Sequence, residues 1–397
     1  MEMNLFRMDF SFSPEEKNFR VQVRAFLDRE MSDEFLSDLE EQDEVDFSRE
    51  FTKKLAQKGW LAMAWPKEYG GGGATMMEQL IFNEEMGYHH APTGGHRQGI
   101  SLIGPCLIVH GTEEQKRKYL PPITAGEVVW CQGFSEPNAG SDLASLQCQA
   151  VEDGDDYVIT GQKVWTTNAH RADWCHMLAR TDPDAPKHRG ISYFLVDMKS
   201  PGITARPLLN MLASRDFGEI FFDGVRVPKE NTLGEKNRGW YVSQTTLNFE
   251  RSGIAWPASA KRDLELLIEY AQETKRNGQS LAQDPIVRHK LAETAVEIEV
   301  ARMISYRVAW MQNQGLIPVY EASMSELFGS ELLKRLGDVG MQILGLYGPL
   351  KHGSRWAPLR GRIVRDCQFS LGLTIARGTS EIQKNIIAWR GLELPRV

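Results

Sequence analysis

The sequence predicts an α+β protein of three successive parts: an N-terminal helical domain over 1–125, a middle β-barrel-like domain over 126–236 and a C-terminal helical bundle over 237–397. Three observations carry that expectation. Ser13-Pro14-Glu15-Glu16 sets an N-cap serine before a proline at the first helical position and a glutamate placed for a capping box. Between about 126 and 234 strand-like apolar runs are separated by an Asp-Gly hairpin signature. Beyond Trp240 the apolar residues fall back to helical spacing, with no alternation to compete.

Taken in order, the first helix should run from Ser13 to about Glu30. After the acidic stretch 38–46, a second should run from about Ser48 to Lys58 and stop at Gly59. Trp65-Pro66 and the glycines 70–73 then break regular structure; no Gly-Lys-Ser/Thr follows them, so a plain loop is the expectation over a phosphate cradle. In the middle part, strands are expected at 147–151 and 157–160 around Glu152-Asp153-Gly154-Asp155-Asp156, and again at 191–197 and 219–227. In the last part Leu264, Leu267 and Ala271 share one helix face, as do Leu291, Ala295 and Ile298. No internal repeat or low-complexity tract appears.

Composition narrows the function classes. With 46 Lys plus Arg against 53 Asp plus Glu, the formal net charge is −7, and there is no polybasic run to hold nucleic acid or an anionic membrane. No stretch approaches the ~18 apolar residues of a membrane span, and 1–17 carries no secretory signal pattern. The five cysteines, 106, 131, 148, 175 and 367, are widely spaced and without a CxxC pair, which reads as reduced thiols of a cytoplasmic protein with no disulfide frame or zinc site. Gly-x-Ser-x-Gly, HExxH, a Walker lysine and a Rossmann glycine pattern are all missing; His89-His90 has no spaced carboxylate or cysteine partner, so two partly exposed loop or helix-end histidines, and no metal, are expected there.

Two segments carry chemistry. Gln132-Gly133-Phe134-Ser135-Glu136-Pro137-Asn138-Ala139-Gly140-Ser141-Asp142 is a turn-rich loop with backbone donors and two hydroxyls, suited to an anion or a planar polar ring. Gly161-Gln162-Lys163-Val164-Trp165-Thr166-Thr167-Asn168 sets an indole beside hydroxyls, able to stack on a heteroaromatic ring and hydrogen-bond its edge, although taken singly a core tryptophan is the plainer reading.

Together with Trp65-Pro66-Lys67-Glu68-Tyr69-Gly70-Gly71, His110-Gly111-Thr112-Glu113-Glu114-Gln115-Lys116, Gly234-Glu235-Lys236-Asn237-Arg238-Gly239-Trp240 and the tail Gly378-Thr379-Ser380-Glu381-Ile382-Gln383, these segments resemble the acyl-CoA dehydrogenase flavoprotein family nearly end to end. The resemblance implies FAD, α,β-desaturation of an acyl-CoA substrate, an electron-transferring flavoprotein as acceptor, and a homotetramer or a heterotetramer with a homologous chain. It implies that Gln132 and the loop after it line the flavin, with Phe134 and Ser135 at the isoalloxazine and Ser141 near the pyrophosphate or pantetheine. Trp165 would cover a ring face while Thr166 and Thr167 approach the N5 and O4 edge. Thr379 and Glu381 match positions at the adenosine portion; Gln342 to Gly345 match a stretch that reaches the adenine from a neighbouring subunit. Two departures stand out: Leu346 replaces a usual glycine, and Thr274 and Asn277 stand where arginine and phenylalanine are usual, leaving Arg276 as a substitute phosphate partner.

Desaturation requires a carboxylate base. In many family members this is the glutamate just before the tail Gly-Thr, here Arg377, and arginine stays protonated. Members acting on branched-chain, long-chain and steroid side-chain substrates place it on the first helix of the C-terminal domain, and Asn248-Phe249-Glu250-Arg251 matches that location, which makes Glu250 the candidate base and Arg251 a structural ion-pair partner. Arg377 would then pair with Glu250 or meet a polar or carboxylate-bearing acyl tail; the second is preferred, since pairing would lower the base's pKa. The resemblance is closest to the subgroup acting on bulky, dicarboxylic or steroid-derived acyl groups. Two other functions remain open, an FAD-binding partner subunit of a heteromer and a flavin monooxygenase on the same fold.

Overall fold

The computed structural model describes residues 8–42, 44–246 and 253–395, with backbone only at 245 and 246. The first helix, α1 (Pro14–Glu30), starts as its sequence dictates: the Ser13 side chain accepts from the Glu16 N–H, and the Glu16 carboxylate accepts from the Ser13 N–H. Helix α2 (Asp33–Glu41), which the sequence reading did not include, runs into the acidic stretch; Asp33 and Glu34 sit in its first turn, where the helix dipole favours them, and Leu39 is buried. The next helix, α3 (Arg49–Gln57), is capped by Ser48, and the chain turns away at Gly59, with φ +71°. Next come α4 (Met76–Tyr88), capped by Thr75 and Glu78, then α5 (Gly104–His110) and α6 (Glu113–Thr124), capped by Thr112 and Gln115.

Strands β1 (Trp130–Gly133), β2 (Gln149–Asp153), β3 (Asp156–Thr167), β4 (Trp174–Arg180), β5 (Ile191–Asp197), β6 (Ile203–Leu208) and β7 (Phe217–Pro228) form one curled sheet. Its order is β1-β4-β2-β3-β7-β6, with β5 beside β4; β1 and β4 are parallel, while the β2–β3, β3–β7, β4–β5 and β6–β7 pairs are antiparallel. The β2–β3 hairpin turns at the expected Asp-Gly site, but β3 continues to Thr167 because two register shifts let it bend while staying paired with β7. Alternation along β5 sends Ile191, Tyr193 and Leu195 into one apolar cluster with Leu107, Leu120 and Trp130, and Phe194 and Val196 into another with Ile159, Met177 and Phe222. Full burial of each such side chain stabilises the sheet by about 1.5–3 kcal/mol.

After α7 (Gly239–Thr246) come α8 (Ala255–Glu273), a two-stranded turn of β8 (Lys275–Arg276) and β9 (Gln279–Ser280), α9 (Pro285–Asn313), α10 (Tyr320–Leu344), α11 (Arg362–Leu373) and α12 (Ser380–Ile386). Leu264, Leu267 and Ala271 of α8 are buried with Leu291 and Ile298 of α9 and Leu332 and Leu336 of α10. By contact pattern the chain forms two compact units. Among the described residues, one comprises 8–40, 75–91 and 253–395; the other comprises 41–74 and 92–246, residue 43 aside, and contains the sheet.

Candidate active site

In the sheet unit, the loop after β1 folds back on itself. Glu136 and Ala139 exchange both backbone hydrogen bonds, each at 3.0 Å, so Pro137-Asn138 form a tight exposed tip. Glu136 is buried: its carboxylate accepts from the N–H groups of Gln147 (2.6 Å) and Cys148 (2.9 Å) and from Lys163 Nζ (2.7 Å). Arg180 pins the returning turn at 143–146 by donating to the carbonyls of Ala144 (2.6 Å) and Leu146 (3.1 Å). Gln132 and Ser135 are half-buried, Phe134 is buried, and Ser141 is exposed beside Asp142, which pairs with Lys187 at 2.6 Å. Phe134 stands edge-on to His176 (5.7 Å) and Tyr193 (5.8 Å). His176, buried and with Nδ1 2.7 Å from the Tyr193 hydroxyl, has its pKa pushed down to about 3 by burial.

The second segment lies on β3, where its pairing with β7 slips between Lys163 and Thr166. Trp165 sits in that bulge in the left-handed region, φ +59°, which a tryptophan rarely adopts. Its side chain is directed outward: Trp165 is 64% exposed and touches Phe217 edge-on at 6.3 Å. The plain core-tryptophan reading therefore fails. Thr166, by contrast, is 1% exposed, and its Oγ1 is buried without a hydrogen-bond partner among the described residues. An unsatisfied buried hydroxyl costs roughly 1–3 kcal/mol. An exposed indole next to an orphaned hydroxyl fits a ring with polar edge atoms, which is the chemistry of an isoalloxazine. Thr167, half-buried, pairs with Phe217 in the ladder. Gln132, Phe134, Ser135, Trp165, Thr166 and Thr167 thus belong to one folded unit, and Val164 N–H donates to the Ser135 carbonyl at 2.9 Å, tying the two segments together.

Arg276, Gln342, Gly345, Arg377, Thr379 and Glu381 belong to the other unit. Helix α10 ends at Gly345 with φ +61°; Gln342 accepts a hydrogen bond from Lys290, and Leu346 is 96% exposed. Arg276 immediately precedes the Asn277-Gly278 turn, both of whose residues are left-handed, and its guanidinium lies 3.5 Å from where a Cβ on Gly345 would stand. Thr379 caps α12, its hydroxyl accepting from the Ile382 N–H; Glu381 in the first turn is exposed, its carboxyl held below the usual range by a backbone hydrogen bond and by Thr379. Arg377 and Gly378 are both left-handed, at φ +55° and +92°, with their carbonyls accepting from Gln383 Nε2. The Arg377 guanidinium lies 4.8 Å above the Trp256 ring and 3.4 Å from Glu326 Oε1. Sequence reasoning missed both partners; neither lies in a motif.

Glu250, the candidate base, and Arg251 lie outside the described residues. His89 and His90 are partly exposed at the end of α4, as expected. Their carboxylate neighbours, which sequence spacing did not reveal, come from distant helices: His89 Nε2 is 3.0 Å from Asp28 and His90 Nε2 is 3.3 Å from Asp263. No group of three metal-ligating side chains occurs among the described residues, and no described helix is long and apolar enough to cross a membrane.

Comparison with known proteins agrees with this architecture. Family models described as the N-terminal, middle and C-terminal domains of acyl-CoA dehydrogenase match residues 13–127, 131–225 and 237–392. The chain therefore belongs to the acyl-CoA dehydrogenase family of oxidoreductases. More particularly, it is 37% identical to the acyl-CoA dehydrogenase FadE26 of Mycobacterium tuberculosis, over 98% of this chain and 99% of that one. The crystal structure of the ChsE4-ChsE5 complex from Mycobacterium tuberculosis matches with a TM-score of 0.90 and 37% identity, over 98% of this chain and 100% of that one. A second solved structure, the Tcur3481-Tcur3483 steroid ACAD, matches with a TM-score of 0.89 and 33% identity, over 98% and 100%.

Proposed function

We propose that this chain is an FAD-dependent acyl-CoA dehydrogenase that introduces an α,β double bond into a bulky, branched, dicarboxylic or steroid-derived acyl-CoA, with Glu250 as the base. The likeness to a steroid ACAD supports the bulky class. The observation that carries the FAD assignment is the bulge that exposes Trp165 and leaves the Thr166 hydroxyl without a partner among the described residues. Bound FAD supplies the hydride acceptor. The rest falls to the chain: Gln132, Phe134, Ser135, Trp165, Thr166 and Thr167 bind and orient the ring, and Ser141 meets the pyrophosphate or the substrate's pantetheine. Gln342, Gly345, Thr379 and Glu381 hold the adenosine end. These assignments follow three segments divided at 125/126 and 236/237. Glu250 removes the proton α to the thioester, a task for which desolvation must raise its pKa above the ordinary ~4.3. Arg377, permanently charged, meets the polar end of the acyl group. Electrons leave to an electron-transferring flavoprotein.

Anaerobic titration with a panel of acyl-CoAs tests this. Wild type should bleach the flavin absorbance with a bulky substrate, and Glu250→Gln should bind FAD and acyl-CoA yet lose bleaching by at least about a hundredfold, the lower range of general-base catalysis. Undiminished bleaching in that variant would remove Glu250 from the mechanism. A second reading, a partner subunit completed by a homologous chain, is favoured by an arginine standing at the alternative base position and by the two-chain solved relatives. Bleaching that appears only after co-expression with a second chain would select it.

A further inference from the structure

Lys163 and Glu136 form a buried ion pair to which the flavin assignment gives no role. Lys163 is 0% exposed, on β3 two residues before Trp165. Its ammonium donates to Glu136 Oε1 at 2.7 Å and to the Phe134 carbonyl at 3.1 Å. Glu136 also accepts the two N–H groups of Gln147 and Cys148. A cation and a carboxylate withdrawn from water this far persist only when their remaining donors and acceptors are satisfied, and here the partners come from three backbone segments. The pair therefore cross-links the loop at 134–136, the strand entry at 147–148 and β3.

What that cross-link abuts is the strained part of the strand. Lys163 holds the last register position, opposite Ile220, before the pairing slips; the next residue, Val164, donates to the Ser135 carbonyl, and Trp165 is left-handed. Beyond the bulge Asn168, also left-handed at φ +58°, donates its N–H to the Asp216 carbonyl at 2.7 Å. A non-glycine residue stays in this region only where its surroundings over-determine it. On the β1 side, the surroundings are the ion pair and the backbone bond next to it.

We propose that Lys163 and Glu136 are positioning residues which hold the 164–166 bulge and so present the Trp165 indole to FAD. The proposal rests on the FAD assignment above and says which residues outside the ring's contacts set its affinity. The test reconstitutes full-length apoprotein with FAD and measures the dissociation constant for wild type, Lys163→Met, Trp165→Ala and their combination. Lys163→Met should weaken FAD about tenfold in the native background, and by less than about twofold where Trp165 is already alanine, because residues acting through one another are non-additive. A general loss of packing would weaken FAD by the same factor in both backgrounds, and that result, or a native dissociation constant in Lys163→Met, overturns the proposal. Should Lys163→Met fail to fold, Lys163→Met with Glu136→Gln removes both charges together and is read by the same two-background comparison. Wild type that binds no FAD would overturn the FAD assignment itself, an outcome distinct from the loss of coupling.

Discussion

Arg377 shows how a single residue was half-legible. That it cannot be a base follows from its side chain alone. That its guanidinium stacks on Trp256 and faces Glu326 does not, because those residues lie on α8 and α10 and meet it only in the fold. His176 is a second case, an unremarkable strand histidine whose burial keeps it neutral down to about pH 3, against about 6.5 in an unfolded chain. The unfolded chain therefore binds a proton that the native one refuses between these values. Its contribution is complete above pH 6.5 and is lost as the pH falls, by about 1.4 kcal/mol per unit. Urea midpoints at pH 7.5 and 5 should separate less for His176→Phe than for wild type; equal separation would contradict a neutral native His176.

At the scale of elements, local signals were readable and bends were not. Side-chain N-caps are short-range patterns, which is why α1, with a full capping box, and α3, with a serine cap alone, start where their serines place them. Ser13→Ala should lower stability by about 1 kcal/mol, read from a denaturant midpoint. The bulge in β3 depends instead on what β7 and the 134–136 loop offer across the chain, so the sequence suggested only a short strand ending at 160. A similar dependence sets Gly104, where a Cβ would lie 1.9 Å from the Trp65 ring while the Trp65 indole N–H donates to the Ile100 carbonyl of the preceding π-turn. Overpacking there cannot relax without breaking that bond. Gly104→Ala should cost at least about 2 kcal/mol, and an unchanged urea midpoint would show that the tryptophan moves aside freely.

On the scale of the whole molecule, the proposed assembly needs an apolar surface to join on. Helix α9 supplies a stripe of Val296, Val300 and Met303 on its exposed face, unusual for a helix whose opposite face, Leu291 and Ile298, is already buried. Under the tetramer that the family resemblance implies, Val300→Glu should lower the native mass while leaving the circular dichroism spectrum unchanged. A mass equal to wild type would place the interface elsewhere.

By itself the sequence determined the order of helical, β and helical parts, the starts of α1 and α3, and the motifs that resemble the acyl-CoA dehydrogenases, because each is encoded in neighbours a few residues apart or in periodicity along one element. The tertiary structure alone decided that 44–74 and 92–125 pack with the sheet while 8–40 and 75–91 pack with the C-terminal helices. It also decided that His89 and His90 find Asp28 and Asp263, and that Trp165 faces outward next to Thr166, whose buried hydroxyl has no partner among the described residues. These are contacts between residues far apart in the chain, and their partners exist only once hydrophobic burial has brought the elements together.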